Sequence, residues 1–159
     1  MKLLVCGSRD WDDENTIWSI LDGYYENDTL GHLTVTMASF TLIEGGAKGA
    51  DACAHRWAKN SPLHSHNERP DDPEFRHVTV NAKWDEHHPK WCPSDWCAAR
   101  DYCVGAGPRR NQRMIDRHKP DLVLAFKNGF NWKLNKGGTE DMVSRAIAAE
   151  IDYYVIGRK

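Results

Sequence analysis

The stretch Leu42-Ile43-Glu44-Gly45-Gly46-Ala47-Lys48-Gly49-Ala50-Asp51 decides the reading of this chain. Apolar residues lead into it, as at the end of a buried strand, and three glycines follow within five positions. Ala50, Cys53, Ala54, Trp57 and Ala58 then recur at helical spacing on one face. Strand, glycine turn and helix together bring backbone N–H groups and a positive helix end up to an anion. Glycine supplies positive φ there and lets a ligand approach the backbone closely. The spacing is neither Gly-x-Gly-x-x-Gly nor the phosphate loop that ends in Gly-Lys-Ser/Thr. The stretch is therefore a phosphate-site candidate of another kind, or a tight strand-to-helix turn with no ligand.

Toward the N-terminus, Lys2 to Cys6 reads as a short buried strand, and Gly7-Ser8-Arg9 ends it. In open α/β sheets ligands bind outside the carboxyl ends of strands. A small turn residue, a hydroxyl and a guanidinium at that point suit phosphate or ribose; pairing of Arg9 with Asp10, Asp12 or Asp13 is the plain alternative. Asp12 or Asp13 can cap a helix whose apolar stripe is Ile17, Ile20, Leu21, Tyr24 and Tyr25. Leu33 to Ile43 reads as the second strand, and Ser61 to Arg76, with three prolines, as a surface loop.

Toward the C-terminus, His77 to Ala82 alternates as a third strand. Gly107-Pro108-Arg109-Arg110-Asn111-Gln112-Arg113 opens a helix with proline suited to its first position. Three arginines crowd a helix start, where the macrodipole disfavours cations, and an anion bound there would relieve them. Met114, Ile115 and His118 turn toward the core. Pro120 to Phe126 is a fourth strand. Gly137-Gly138-Thr139-Glu140-Asp141 then repeats the glycine design, with Thr139 a natural N-cap and Met142, Val143, Ala146 and Ile147 facing inward. Tyr153 to Ile156 is the last strand. The alternation predicts an α/β, Rossmann-like three-layer sandwich, with a mainly parallel sheet of about five strands and a Cys/His-rich insertion at 85–106. No domain boundary is visible, so residues 1–159 read as one domain.

The insertion holds His87, His88, Cys92, Cys97 and Cys103. A structural zinc needs four sulfur or nitrogen ligands, and His88, Cys92, Cys97 and Cys103 could supply them. A lid with aromatic anchors and unligated thiols is the alternative. Five cysteines, an odd number with no secretion signal, speak against a disulfide framework. The net charge of −2 recruits neither nucleic acid nor membrane. No stretch approaches the roughly 20 apolar residues of a membrane span. A cytoplasmic protein is the expectation, and a homo-oligomer is compatible with it.

Val5-Cys6-Gly7-Ser8-Arg9, the Glu44 to Asp51 stretch, Gly107-Pro108-Arg109-Arg110-Asn111 and Gly137-Gly138-Thr139-Glu140-Asp141-Met142 together resemble the YspA/YpsA-related branch of the SLOG superfamily. The resemblance implies a Rossmann-like fold and a nucleotide or phosphoribosyl ligand at the C-terminal rim of the sheet. It implies no organic cofactor beyond such a ligand. The superfamily includes Lonely-Guy-type phosphoribohydrolases, which release a base from a nucleoside 5′-monophosphate, and non-catalytic nucleotide-binding members. Carried over by position, Gly45, Gly46, Gly49, Gly137, Gly138 and Thr139 would hold phosphate or ribose. Gly7, Ser8, Arg9, Asp51, Asn111 and Arg113 complete the expected binding set. The motif's catalytic glutamate would fall near Asp141, with Glu140 beside it, and Arg110 would be the catalytic arginine. The chain lacks the proline and one glycine of the Lonely Guy motif and has aspartate at its first acidic position. Two readings follow: hydrolysis of an N-glycosidic bond through an oxocarbenium-like state supported by a carboxylate, or a sensor that holds the ligand without cleaving it, with the cysteine insertion as a zinc-stabilised lid or partner surface.

Overall fold

The computed structural model describes residues 1–30, 39–60, 75–87, 90, 92, 97, 100–131 and 137–158. The elements run β1 (Lys2–Gly7), α1 (Glu14–Leu30), β2 (Phe40–Glu44), α2 (Ala50–Asn60), β3 (Phe75–Thr79), α3 (Ala106–Arg113), β4 (Leu122–Phe126), α4 (Gly138–Ala148) and β5 (Asp152–Ile156). A π-helical turn, Met114–His118, continues α3. The five strands form one parallel sheet in the order β3-β2-β1-β4-β5.

Alternation along β1 splits its side chains between two layers. Leu3 and Val5 pack with Ile17 and Leu21 of α1 and Ala54 and Trp57 of α2. Leu4 and Cys6 pack with Met114 and Ile115 on one side and Met142, Val143 and Ala146 of α4 on the other. The sheet is thus covered on both faces, as its unbroken apolar strands require. An aromatic group of Tyr25, Phe40, Trp57 and Phe75 closes the β2–β3 end, with ring centroids 5.4 to 6.2 Å apart. Asp13 caps α1: its Oδ1 accepts the Thr16 N–H at 3.1 Å and its Oδ2 the Thr16 hydroxyl at 2.6 Å.

Several boundaries differ from the sequence expectation. β3 begins two residues earlier than His77, where Phe75 pairs with Phe40 and extends the aromatic group. Of the second strand only Phe40–Glu44 is seen, and the first part of the expected Leu33–Ile43 run lies outside the described residues. α3 starts at Ala106, which puts Pro108 inside the first turn instead of at its first position. The N-cap of α4 is Gly137 in extended backbone, with no side-chain cap bond, so Thr139 lies within the helix and is free to face the sheet rim. Ile147 is 47% exposed, in the last turn of α4. His118 is half-buried at the end of the π-helical turn, whereas Met114 and Ile115 are buried.

Candidate functional site

The strand order reverses at β1: the chain moves outward to β2 and β3, then crosses back to β4 and β5. A crevice opens at such a switch point, beyond the carboxyl ends of the strands. Here it is a cavity of about 1180 Å³.

Its floor is the end of β1. Gly7 leaves no room for a β-carbon, which would run into the Phe126 carbonyl and Ala50. Ser8 N–H donates to the Phe126 carbonyl at 2.8 Å, and the Ser8 carbonyl accepts the Ala50 N–H at 3.3 Å. The β1 loop is thereby fixed to both β4 and α2. Cys6 also lines the cavity. Burial, with Asp51 close by, pushes its thiol far above the ordinary range, so it stays protonated and is no nucleophile.

The glycine loop forms one wall. Gly46 and Gly49 have φ of +66° and +77°, where a side chain is strained. Two buried carboxylates hold the loop from behind. Asp51 Oδ2 accepts the Gly45 and Ala47 N–H groups at 3.1 and 3.2 Å. Glu44 Oε2 accepts the Gly46 N–H at 2.5 Å. Burial raises the Asp51 pKa to about 6, although Arg110 and the loop N–H groups pull the other way. Burial also works against ionisation of Glu44. His77, Thr79, the Gly46 N–H and His55 overcome it and hold its pKa at about 2. Glu44, His55 and His77 have metal-ligand chemistry and lie close together, but the hydrogen bonds of both imidazoles to Glu44 Oε1, at 3.1 and 3.2 Å, account for them.

The opposite wall comes from α3. Arg110 faces the cavity; its Nη1 donates to the Gly45 carbonyl and lies 3.6 Å from Asp51 Oδ2. Gly138 and Thr139, at the start of α4, complete the rim, so the two glycine turns share one cavity. Lys48 and Lys127 add two further cations. Trp84 and Tyr102, 40% and 47% exposed, stand at the mouth with their rings edge to face at 6.1 Å. The Arg9 guanidinium lies 5.9 Å from the centre of the Trp84 ring.

The remaining expected residues lie behind these walls. Asn111 is buried, donating from Nδ2 to the Gly138 carbonyl at 3.0 Å and to Asp141 Oδ2 at 2.8 Å. It ties α3 to the start of α4. Asp141 takes both Nε and Nη2 of Arg145 at 2.8 Å and faces a smaller cleft with Gln112 and Arg145. Glu140 is 6% exposed and accepts the Lys127 ammonium on Oε1 at 2.5 Å; its Oε2 has no partner among the described residues. Arg113 donates to the Asn81 carbonyl at 3.1 Å. Gly137 packs against Glu140 and Lys127. Of Asp51, Glu140 and Asp141, Asp51 lines the main cavity, as does Asp10.

Lys48, Lys127, Trp84 and Tyr102 were not singled out by sequence reasoning. A signal existed for three of them. Lys127 follows β4 directly, Trp84 comes five residues after β3, and Lys48 stands inside the glycine stretch. All are positions just beyond strand ends or in the loop itself.

In the insertion, His88 lies outside the described residues. The described ligand-type atoms that cluster are those of His87, Cys92, Cys97 and Cys103, all within 4.8 Å of one another. Cys92 and Cys97 are joined as a disulfide.

Among the described residues no helix is long and apolar enough to cross a membrane. The family model described as YspA, cpYpsA-related SLOG family (YAcAr) matches residues 1–87, which span β1 to β3 and the glycine loop. The "Gene 61 protein" of Mycobacterium phage D29 is 29% identical over 128 residues, covering 80% of this chain and 78% of that protein. No solved structure matches the chain significantly. Fold, glycine-loop geometry and family match agree, and the chain belongs to the YspA, cpYpsA-related SLOG family.

Proposed function

We propose that the cavity at the switch point binds a nucleotide or phosphoribosyl ligand. The observation that carries this reading is the convergence of the β1 loop, the glycine loop, α3 and the start of α4 on one space. That space has cations on several sides and an aromatic pair at the mouth. Arg110, Lys48 and Lys127 suit a phosphate group, and the α4 start adds to the same field. Trp84 and Tyr102 suit the face of a base, since stacking on an aromatic ring serves any base. A cytoplasmic location goes with a freely diffusing ligand of this kind.

Cleavage of the N-glycosidic bond of a nucleoside monophosphate is the catalytic form of the reading. It needs a carboxylate at the sugar and a proton for the departing base. Asp51 favours it: a carboxyl at the cavity with a pKa near 6 can hold and give up a proton close to neutral pH. Arg110 would orient the ligand against it. Asp141 and Glu140, held by Arg145 and Lys127, would position the rim and the Lys127 ammonium. The non-catalytic form keeps the ligand and drops the cleavage, with the cysteine insertion as a zinc-stabilised lid.

Incubating the protein with a panel of nucleoside 5′-monophosphates, reading bound ligand by calorimetry and free base by chromatography, tests both forms. Release of base that Asp51→Asn abolishes while binding persists supports the hydrolase. Binding without release leaves the sensor. Absence of binding to any nucleotide or to ribose 5-phosphate would end the proposal.

A further inference from the structure

The insertion before α3 has an unusual interior. Among the described residues its buried cluster is Cys92, Cys97, Cys103 and Ala106, with Ala82 and Val104 packed at its margin. Three sulfurs are thus buried together at one point of the insertion.

We infer that His87, Cys92, Cys97 and Cys103 form a closed, four-coordinate zinc site that braces the aromatic wall of the cavity. Three thiolates and one imidazole are a complete ligand set for structural Zn²⁺. Their ligand atoms already lie within 4.8 Å of one another. At a Zn–S bond of about 2.3 Å, tetrahedral sulfurs sit roughly 3.8 Å apart, so Cys92 and Cys97, joined as a disulfide here, must be reduced and move apart to take the ion. His87 is the exposed member and the cysteines are the buried ones, so the ion would be shielded from solvent on the sulfur side. Binding releases three thiol protons, and the neutral imidazole keeps its second N–H. The resulting centre carries a single negative charge. Arg109 stands ready to offset it, with Nη2 3.8 Å from Cys103 Sγ. Such outer partners stabilise bound thiolates.

The disulfide between Cys92 and Cys97 uses the same two sulfurs and excludes this centre while it is intact. It would leave Cys103, fully buried, with the Arg109 guanidinium as its partner, and His87 with its Nδ1 4.0 Å from the Cys92 sulfur. The metal accounts for all four. Forming the disulfide from the two thiols would also take an oxidant able to accept two electrons.

The bracing role follows from what Cys103 and Arg109 hold. Cys103 N–H donates to the Trp84 carbonyl at 2.7 Å. Arg109 donates to the carbonyls of Lys83, at 3.3 Å, and Glu86. Tyr102 and Val104, on either side of Cys103, line the cavity. A fixed Cys103 therefore fixes both aromatic residues of the mouth. This second part rests on the nucleotide reading of the cavity; the metal site does not.

The test is elemental analysis of protein purified under reducing conditions without chelator, together with Co²⁺ substitution. The expected result is about one zinc per chain and a thiolate-to-cobalt charge-transfer band. His87→Ala and Cys103→Ser should lose at least about tenfold in metal affinity, and His88→Ala should keep it. Loss in His88→Ala with retention in His87→Ala would overturn the ligand set. Metal-free protein from that purification, with its thiols reduced, would overturn the site, a result independent of whether any variant folds. For the bracing role, the zinc-loaded and chelator-stripped proteins are titrated with adenosine 5′-monophosphate and with ribose 5-phosphate. Weakening of the monophosphate by about tenfold on stripping, with the sugar phosphate little changed, is expected, and equal affinities in the two states would overturn it. Failure of the loaded protein to bind either compound overturns the nucleotide reading while the metal count still stands.

Discussion

Arg110 and Asp51 meet behind the glycine loop, guanidinium Nη1 3.6 Å from carboxylate Oδ2, each largely withdrawn from solvent. That one carboxylate oxygen also accepts two loop N–H groups. The loop, α2 and α3 are therefore joined through a single acidic group at the edge of the cavity.

Asp51 gives a pH signature. Its pKa is about 6 in the folded protein against an ordinary value of 3.8, so the native state holds the proton more firmly than the unfolded chain. As pH rises from about 4 to about 6, the unfolded chain ionises first, and the native state loses on the order of 3 kcal/mol relative to it before levelling. Asp51→Asn has no such proton. Urea melts at intervals across that range should show the wild type falling relative to the variant; parallel curves would refute the buried-acid assignment.

Glu44 should behave in the opposite sense. Its folded pKa of about 2 lies below the ordinary 4.5, so its stabilising contribution is complete above about pH 4.5 and disappears as pH falls toward 2. Glu44→Gln should cost on the order of 3 kcal/mol at neutral pH and nearly nothing at pH 2. Acid titration of the two proteins by circular dichroism gives the comparison. A cost that does not shrink in acid would mean that the charge is not what matters.

The glycines separate folding from binding. Gly49 has φ +77°, and a β-carbon there would strike the Ser8 carbonyl and the Arg9 backbone. Gly49→Ala should destabilise by at least about 1–2 kcal/mol from backbone strain alone. Gly138 has open space around it and lies on the cavity. Gly138→Ala should leave the melting temperature nearly unchanged while weakening nucleoside monophosphate binding about tenfold. Unchanged affinity in a folded Gly138→Ala protein would remove the α4 start from the ligand site.

The aromatic mouth gives a ligand-dependent split. Trp84→Ala should cost about 1–3 kcal/mol in binding a nucleoside monophosphate, the usual worth of one stacked base. Ribose 5-phosphate, which has no base, should bind the variant as it binds the wild type. Equal losses for both compounds would show that Trp84 shapes the cavity without stacking.

Much of the architecture was legible because the local rules admit few alternatives. Unbroken apolar runs such as Leu122 to Phe126 can only be buried on both faces. Glycines at 46 and 49 mark backbone that other residues rarely adopt. The acidic residues were harder to place, since their direction depends on helix phase and on partners. Asp141 and Arg145, at i and i+4, form a pair that spacing alone would suggest. Asp51 sits in the first turn of α2, where a capping or loop-holding role also shows. The aromatic mouth was out of reach because Trp84 and Tyr102 are eighteen residues apart and meet only through the insertion.

The central position of β1 also limits how the chain can be shortened. Residues 1–87 would carry β1, β2 and β3 but not β4, whose five-residue register with β1 runs from Leu3 to Gly7. Cut there, β1 becomes an outer strand with a bare row of donors and acceptors beside wholly apolar side chains. Such a border invites pairing with another copy, so a fragment ending near residue 87 should be recovered as aggregate, not as a miniature of the whole.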